Sequence, residues 1–539
     1  MATDALVNQN VGQDYFDIFR LPDPNEPLDA LDQTILKHET LVRKLKSHRN
    51  TLIPISRILP EILCRIFDFE REGAVPSSLV AVTHVCQSWR NAAIDCSTLW
   101  TDIAITSIPW TDEMLRRSKM SSLTIRASMN EFLTPAKTLP SLFRNLQVAL
   151  THMARIKELS INGSPGCCVR VQPLLEHLPV SAPVLESLTI SVLRFKFLSE
   201  RELGHCKLPP KALSNVDRLC RLQLSRCNVD WESPVFRHLT YLSVENVSDD
   251  SRPSTTQLST ILQRLPSLLH LALKNCLPIG GRYIEEGSIH LPHLGSLVLS
   301  GKVVELEPWL RTMTISPTSS IELQCDEPEA NAILLNLLQA PRRSSGMTLT
   351  LPVYTLKIFD GTSHQRSPMV SLTFGTGPVL HVTRGSNRTL SGQTNPFLTQ
   401  ICNNLPVGKL TYLHFTSSAS IDPQLIANTL GRLPCLESVV VSGEVIKYFI
   451  RSLTMTSATQ SRSSPPLVFP QLRQVSLYGV RFTTSAEGDG IYFENLRDCL
   501  IERYELGFEI EEVFVHRSPD VSPKDIALLR EIVPHVDWA

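Results

Sequence analysis

The chain has 539 residues, of which 42% are hydrophobic and 19% charged, and its formal net charge at pH 7 is −1. This length exceeds what one compact core usually supports, so several domains or a repeat array are expected, and the ordinary composition argues against a largely disordered chain. The chain lacks the basic excess of proteins that bind nucleic acid or anionic membranes, so neither is expected as a partner.

The N-terminal residues lack the basic and apolar runs of a secretory signal, and no apolar stretch reaches the length of a membrane helix. The 13 cysteines are therefore expected to be reduced thiols in the cytoplasm, the nucleus or both. No two of them stand in a C-x-x-C pair, so zinc-ribbon, RING and thioredoxin-like sites are excluded by spacing. We expect no metal and no cofactor.

Residues 1–26 are predicted to be loosely ordered, and residues 27–50 are predicted to form a helix. The apolar residues of this helix recur at heptad spacing and are interrupted by one histidine: Leu28, Leu31, Ile35, His38, Val42 and Leu45. About three heptads is the lower limit for a coiled coil. We expect the helix to lie on a neighbouring domain, with self-association as the alternative.

The next stretch, "ISRILPEILCRIFDFE", reads as an amphipathic helix that opens at Pro60. Proline is tolerated in the first helical turn because the N–H there has no partner, and Glu61 suits the positive end of the helix dipole. The apolar residues form one continuous face: Leu59, Ile62, Leu63, Ile66 and Phe67. This face contacts either the core of this chain or another protein.

Helix, turn and strand signals follow within about fifty residues. Pro76 to Ser78 start and cap a second helix, and "CSTLW" is expected to form a short turn or helix. "TDIAI" then alternates as a strand, with Ile103 and Ile105 facing inward.

One signature, L-x-x-L-x-L, then recurs along the chain. Strong copies are "LCRLQL", "LTYLSV", "LLHLAL", "LGSLVL", "LTYLHF", "LESVVV" and "LRQVSL", and looser ones are "IKELSI", "LESLTI" and "SSLTI". Helix-like pieces lie between them. A short strand with a helical return at this period is typical of a leucine-rich-repeat solenoid, whose units complete one another's core by stacking.

Cysteine at the ninth position of two repeats supports this interpretation, because Cys227 and Cys276 stand where such repeats use Asn or Cys to bond neighbouring backbone. Residues 300–400 are irregular, with the loop-like insertions "PRRSSG", "DGTSHQRSP" and "RGSNRTLSGQT", and "TSATQSRSSPP" precedes the last repeat. A strand is predicted in "EIEEVFVHRS", and the chain is predicted to close on a helix that ends near Trp538.

The segment from Pro60 to Trp100 closely resembles the F-box, the adaptor-binding module of F-box proteins. The matching residues are Pro60, Glu61, Ile62, Leu63, Ile66, Phe67, Val85, Cys86, Trp89, Arg90, Ala93, Leu99 and Trp100. A preceding helix, this module, leucine-rich repeats and a closing "VDW" also resemble the layout of fungal F-box proteins. The expected fold is therefore α/β, a helical F-box module followed by a leucine-rich-repeat-like horseshoe of short parallel strands with helical returns. Its predicted divisions are the F-box at 51–102, the solenoid at 103–500 and a cap at 501–539.

The resemblance implies that the module docks the Skp adaptor of a Skp–cullin–F-box ubiquitin ligase, and through it a cullin scaffold. The expected adaptor-binding residues are Leu59, Pro60, Ile62, Leu63, Ile66, Phe67, Val85, Cys86, Leu99 and Trp100. A module of about fifty residues is too small to bury all its large apolar groups internally. Ile62 and Phe67 are expected to face inward, whereas Leu59, Pro60, Leu63 and Trp100 are expected to remain available to a partner, and Trp89 to belong to the core.

Residues between the repeat leucines are expected to point to the concave sheet face, because side chains alternate along a strand. The predicted substrate-binding residues are Arg221, Gln223, Tyr241, Glu245, His270, Lys274, Tyr412, His414 and Tyr478. Their mixture of aromatic and charged groups suits an as yet unknown protein substrate.

The chain contains no G-x-S-x-G, H-E-x-x-H, P-loop or G-x-G-x-x-G motif, so an enzyme is not expected. The favoured hypothesis is a substrate receptor of a ubiquitin ligase that acts by holding its target near a conjugating enzyme. The alternative is a leucine-rich-repeat scaffold that does not promote degradation.

Overall fold

A computed structural model describes residues 28–73, 77–106, 108–192, 204–280, 289–316, 319–325, 355–359, 369–373, 379–384, 398–399, 401–403, 407–417, 420–453, 468–480, 482, 493–518 and 521–538. The chain divides into two compact units, residues 1–126 and 127–539. The predictions for residues 1–26 and most of those for the loop-like insertions fall outside the described residues.

The first unit is mainly helical. Its helices are α1 (Leu28–Leu52), α2 (Pro60–Gly73), α3 (Ser77–Thr83), α4 (Gln87–Asp95) and α5 (Ile108–Arg117), with 3-10 turns at Pro54–Arg57 and Ser97–Trp100. Strand β1 (Asp102–Ala104) runs parallel to β2 (Leu123–Met129), and Ile103 lies opposite Ile125. The prediction that Ile103 and Ile105 face inward is confirmed, because both side chains are buried.

The second unit contains the following strands: β3 (Ile156–Gly163), β4 (Ser187–Val192), β5 (Cys206–Lys207), β6 (Arg221–Ser225), β7 (Cys227–Asn228), β8 (Tyr241–Glu245), β9 (His270–Lys274), β10 (Ile289–Leu291), β11 (Ser296–Gly301), β12 (Met313–Ile315), β13 (Ser320–Cys325), β14 (Thr355–Phe359), β15 (Met369–Thr373), β16 (Val379–Arg384), β17 (Tyr412–Thr416), β18 (Ser438–Ser442), β19 (Gln474–Tyr478), β20 (Glu512–His516) and β21 (His535–Trp538). Each of the ten L-x-x-L-x-L segments of the chain forms a strand.

Its helices are α6 (Leu139–Leu150), α7 (Pro165–Glu176), α8 (Thr255–Gln263), α9 (Val303–Thr312), α10 (Pro423–Asn428), α11 (Val445–Leu453), α12 (Phe493–Glu505) and α13 (Pro523–Ile532). Capping follows the sequence: the Ser254 hydroxyl accepts from the Gln257 amide at the start of α8, and Gln257 bonds back to the Ser254 amide. This reciprocal pair satisfies two backbone donors that the first turn leaves free.

The long sheet has the order β3-β4-β6-β8-β9-β11-β13-β16-β15-β14-β17-β18-β19-β20-β21, and two small parallel pairs, β5–β7 and β10–β12, lie beside it. The strands run parallel except β15, which is antiparallel to both β14 and β16. The predicted fold of short parallel strands is therefore confirmed, with β15 as an antiparallel exception. The exception lies inside the irregular 300–400 region, where a three-stranded meander replaces the repeat.

Leucines of neighbouring rungs form the core of the sheet unit. Leu222, Leu242, Leu271 and Leu297 occupy equivalent positions in successive strands, and each is fully buried. Fully burying a leucine side chain contributes roughly 1.5–3 kcal/mol. The repeats therefore stabilise one another through an apolar ladder that no single unit could complete.

Left-handed residues end several strands of the sheet. Arg226, Asn246 and Asn275 have φ of 51°, 54° and 49°, and each directs its amide to a carbonyl of the next rung. After the last of these turns the Cys276 thiol donates to the carbonyl oxygen of Val244, at 3.2 Å. This is the backbone bond expected of the ninth repeat position, whereas the Cys227 sulfur lies 3.9 Å from the Asn228 carbonyl oxygen.

The C-terminal segment differs from its prediction. Helix α13 ends at Ile532, and residues 535–538 pair as β21 with β20 instead of continuing the helix to Trp538. Pro534 explains the difference, because proline disfavours helical backbone in the residue before it.

Candidate interaction sites

Helix α2 divides its apolar residues between two directions. Leu63 and Phe67 point into the helical unit and are each 2% exposed, and the Phe67 ring packs against Trp89 with 5.1 Å between ring centroids. Phe67 faces inward, as predicted. Trp89 is half-buried and contributes to this packing.

An adjacent side of the same helix carries an exposed apolar stripe, which we define as Ile62, Ile66 and Phe69 together with Leu59, the residue immediately before the helix. Their exposed fractions are 65%, 46%, 41% and 75%, and their spacing of three and four residues places them on one helical side. Pro60 at the start of the helix is also exposed. Isolated exposed apolar residues are ordinary, but four in a row along one helix mark a surface suited to a partner.

Two of the predicted orientations are therefore reversed. Ile62, expected inward, faces outward, and Leu63, expected to be available, is buried. The apolar arc is too wide for all of it to pack against the neighbouring helices. Because Phe67 packs against Trp89, the part of the arc that contains Phe67 and Leu63 turns inward. Phe69 belongs to the stripe although sequence reasoning did not single it out.

Trp100 is also buried, contrary to expectation. Its side chain is 0% exposed, its indole Nε1 donates to the Ala93 carbonyl oxygen at 2.7 Å, and the Trp110 ring meets it edge-on at 6.1 Å. The Arg117 guanidinium lies 4.3 Å from its ring centre. A buried indole needs a hydrogen-bond acceptor, and here α4 supplies one internally. Leu99 beside it is buried as well.

The turn between α3 and α4 carries the next predicted residues. Val85 is 59% exposed, whereas the Cys86 side chain caps α4 by accepting from the Trp89 amide at 3.5 Å. Val85 is therefore accessible to a partner, whereas the Cys86 side chain stabilises the first turn of α4.

An open cleft of about 750 Å³ lies between α2 and α4 and includes Pro60, Glu61, Cys64 and Cys96 in its lining. Partial burial, followed by a hydrogen bond with the Cys96 thiol, raises the pKa of Cys64 to about 12. Cys64 is therefore a neutral thiol at physiological pH, and so it lacks the thiolate that a thioester-forming ligase requires.

The family comparison bears on this helical unit, because residues 60–106 match the model described as F-box-like. Residues 60–106 form an F-box-like domain. No curated protein gives a significant match to the chain. The F-box-like domain begins at Pro60, so Leu59 of the exposed stripe stands immediately before it and the other three members lie on its first helix. F-box domains typically belong to non-catalytic adaptors, and this one is followed by a long, largely parallel sheet.

On that sheet, predicted substrate-binding residues from three adjacent strands form one column. Arg221, Tyr241 and His270 are register partners in β6, β8 and β9. The Arg221 guanidinium lies 3.7 Å from the Tyr241 ring centre, and Tyr241 stacks on His270 at 4.3 Å with 10° between planes. At the other end of the same strands, Lys274 of β9 forms an ion pair with Glu245 of β8 at 3.0 Å. Gln223 lies half-buried on β6, between the level of the column and the level of this ion pair. The column and this ion pair make up what we call the first cluster.

The environment of His270 disfavours the protonated form of its imidazole. Burial, and then the positive charges of Arg221 and Lys274, lower the pKa of His270 below its ordinary value of 6.5. The unfolded chain therefore binds a proton here at a higher pH than the folded chain does. Between the two pKa values protonation favours unfolding, so this group makes stability fall as the pH falls below about 6.5.

We expect His270→Gln to lessen the loss of stability on acidification. The variant lacks the proton site whose pKa folding depresses, so the free energy of unfolding should drop less between about pH 7 and about pH 5.5 than in the unaltered chain. Urea titrations at both pH values measure this difference. His290→Gln, at an exposed histidine of β10, is the control, and equal pH dependence of all three proteins would contradict the assignment.

A second cluster lies near the C-terminal end of the sheet. Tyr412 and His414 are half-buried on β17, and Tyr478 on β19 is 42% exposed and meets His516 of β20 at 4.7 Å between rings. Burial, with a smaller contribution from Tyr478, raises the pKa of Tyr412. Sequence reasoning missed Phe514 and His516, whose alternation with buried Val513 and Val515 gives the same signal as the earlier rungs.

The sheet order keeps the two clusters apart. Strands β11, β13, β16, β15 and β14 separate β9 from β17. At about 4.8 Å per strand, the six spacings amount to roughly 29 Å. The predicted substrate-binding residues therefore form two separate surfaces rather than one site.

Within the part of the chain that the structure covers, no three His, Cys, Asp or Glu side chains are placed to hold a metal ion. Among the same residues, no helix combines the length and the apolar character required to span a membrane.

Proposed function

We propose that the protein is the substrate-recognition subunit of a Skp–cullin–F-box ubiquitin ligase. The exposed stripe at the start of the F-box-like match carries this proposal, because exposed apolar residues at this helical spacing are what a helix inserts into a partner's groove. The Skp adaptor is the proposed partner, and through it the cullin scaffold. Val85 is proposed as a further contact because it is exposed.

In this proposal Leu63, Phe67, Leu99 and Trp100 support the adaptor surface from within. They are buried, so they hold Leu59, Pro60, Ile62 and Ile66 in place rather than touch the adaptor. The chain supplies proximity and performs no chemistry, since effective concentration is what brings a lysine of the target to a conjugating enzyme. The proposed sites of action are the cytoplasm, the nucleus or both.

The first cluster is the proposed substrate contact. Arg221 is exposed and its guanidinium is stacked on an aromatic ring, an arrangement that keeps it ordered and still able to donate to a carboxylate or phosphate. Arginine and tyrosine are the residue types that contribute most at protein interfaces. The second cluster, with Tyr412, His414 and Tyr478, is the other proposed contact.

We expect Arg221→Glu to weaken substrate capture by about tenfold or more without affecting adaptor or cullin binding, because the change reverses a charge at the proposed contact. Proximity labelling in cells that express either form, followed by ubiquitination of the recovered proteins, measures the effect. Arg218→Glu, at an exposed arginine before β6, is the matched control. Equal labelling by all three forms would exclude the first cluster as the substrate contact.

A further inference from the structure

Helix α1 buries little of its surface against the rest of the described chain, where Ser47 near its end joins Pro60 and Glu61 in the lining of the cleft. It spans 25 residues and none of them is buried. Among the described residues, the expectation that it lies on a neighbouring domain is therefore supported only near Ser47. Five members of its heptad seam are exposed, Leu28 at 77%, Ile35 at 50%, Val42 at 47%, Leu45 at 41% and Leu52 at 65%, whereas Leu31 and His38 are half-buried.

The helix is longer than predicted, and the extension continues the heptad. With Leu28 at position a, the a positions are Leu28, Ile35, Val42 and Arg49, and the d positions are Leu31, His38, Leu45 and Leu52. Six of the eight are apolar. About three and a half heptads of this kind are enough for two helices to pair through knobs-into-holes packing.

Charge indicates the orientation of such a pair. Residues 28–40 contain three acids, Asp29, Asp32 and Glu39, and one base, Lys37, whereas residues 41–52 contain four bases and no acid. This distribution suits the dipole of a single helix. It also makes one end of the helix electrostatically complementary to the other end of a second copy, but not to the same end.

We propose that α1 pairs with α1 of a second copy of this chain as an antiparallel coiled coil. In the register centred on Thr40, each a residue faces a d residue of the other copy: Leu28 faces Leu52, Ile35 faces Leu45, and His38 faces Val42. Arg49 then meets Leu31. A parallel pair would instead place Arg49 against Arg49 and His38 against His38.

The flanking positions agree with this register. At the e positions, Asp32 of each copy lies near Lys46 of the other copy, which gives two equivalent attractive pairs. At the central g position, Leu41 of one copy lies near Leu41 of the other. Glu39 meets Glu39, but each is already paired with Arg43 of its own helix at 2.8 Å, so this repulsion is partly cancelled. In a parallel pair, the flanking g and e positions would place Thr34 near Glu39 and Leu41 near Lys46, and neither pair contains opposite charges.

The oligomeric state of the full-length protein tests the proposal. We expect sedimentation equilibrium over a wide concentration range to show a reversible dimer. Ile35→Glu combined with Val42→Glu should leave only monomer, while Gln33→Glu combined with Thr40→Glu on the opposite side of the helix should not. A monomeric unaltered protein, or a dimer that survives the first double change, overturns the proposal.

A charge exchange tests the orientation without disturbing the seam. Lys46→Asp should raise the dissociation constant of the dimer by about tenfold or more, because two attractive pairs become repulsive. Adding Asp32→Lys should restore it. Equal dimerisation of all three forms, or failure of the second change to rescue the first, overturns the antiparallel arrangement.

Discussion

Replacing Ile62 and Ile66 by alanine is expected to weaken binding of the Skp adaptor severely. Both side chains are exposed on α2, and each large aliphatic group buried at an interface contributes roughly 1.5–3 kcal/mol. Loss of both should weaken the complex by about two to four orders of magnitude. Titration calorimetry of the full chain with purified adaptor measures the change.

The same substitutions should hardly alter the stability of the chain, because neither side chain belongs to its core. The thermal unfolding midpoint checks this. A matched control removes two exposed valines elsewhere, Val169→Ala with Val180→Ala, which are 79% and 58% exposed. If the control variant and the α2 variant bind the adaptor equally well, the stripe is not the docking surface.

Trp100→Ala is expected to unfold the F-box-like domain or nearly so. The residue is fully buried, donates a hydrogen bond to Ala93, and contacts Trp110 and Arg117. Removing such a side chain costs about 3–5 kcal/mol, a large part of the stability of a small unit. Urea unfolding followed by far-ultraviolet circular dichroism reports the loss.

Trp100→Phe separates packing from adaptor contact. It keeps an aromatic ring but leaves the Ala93 carbonyl without its donor, at a cost of about 1–3 kcal/mol. Because Trp100 is enclosed, the folded variant should bind the adaptor with unchanged affinity. If a folded Trp100→Phe protein bound the adaptor more weakly, Trp100 would have to contact the adaptor directly, contrary to its burial in the free chain.

The strands of the sheet were predictable because their signal is local. The period-two alternation within L-x-x-L-x-L predicts both that the segment forms a strand and which of its side chains are buried, as at Leu222 and Leu224. The meander of β14, β15 and β16 was not predictable, because its segments lack that signature and pair through tertiary contacts.

The candidate site was predictable by residue type but not by direction. Spacing placed Leu59, Ile62, Leu63, Ile66 and Phe67 on one apolar arc. Which part of the arc turned inward depended on Trp89, more than twenty residues away in the sequence. Similarly, nothing local to Trp100 reveals that Ala93 supplies its hydrogen-bond acceptor. Which residues of an apolar arc become buried depends on contacts with residues distant in the sequence, and the periodicity of the arc does not specify those contacts.

The central claim is that α2 offers its outer side to an adaptor. The most direct measurement is a hydrogen-exchange comparison of the full chain alone and mixed with purified Skp adaptor. We expect the adaptor to protect the segment from Leu59 to Phe69 and the turn at Val85 from exchange, and to leave β6 to β9 unchanged. No protection of that segment at saturating adaptor would contradict it.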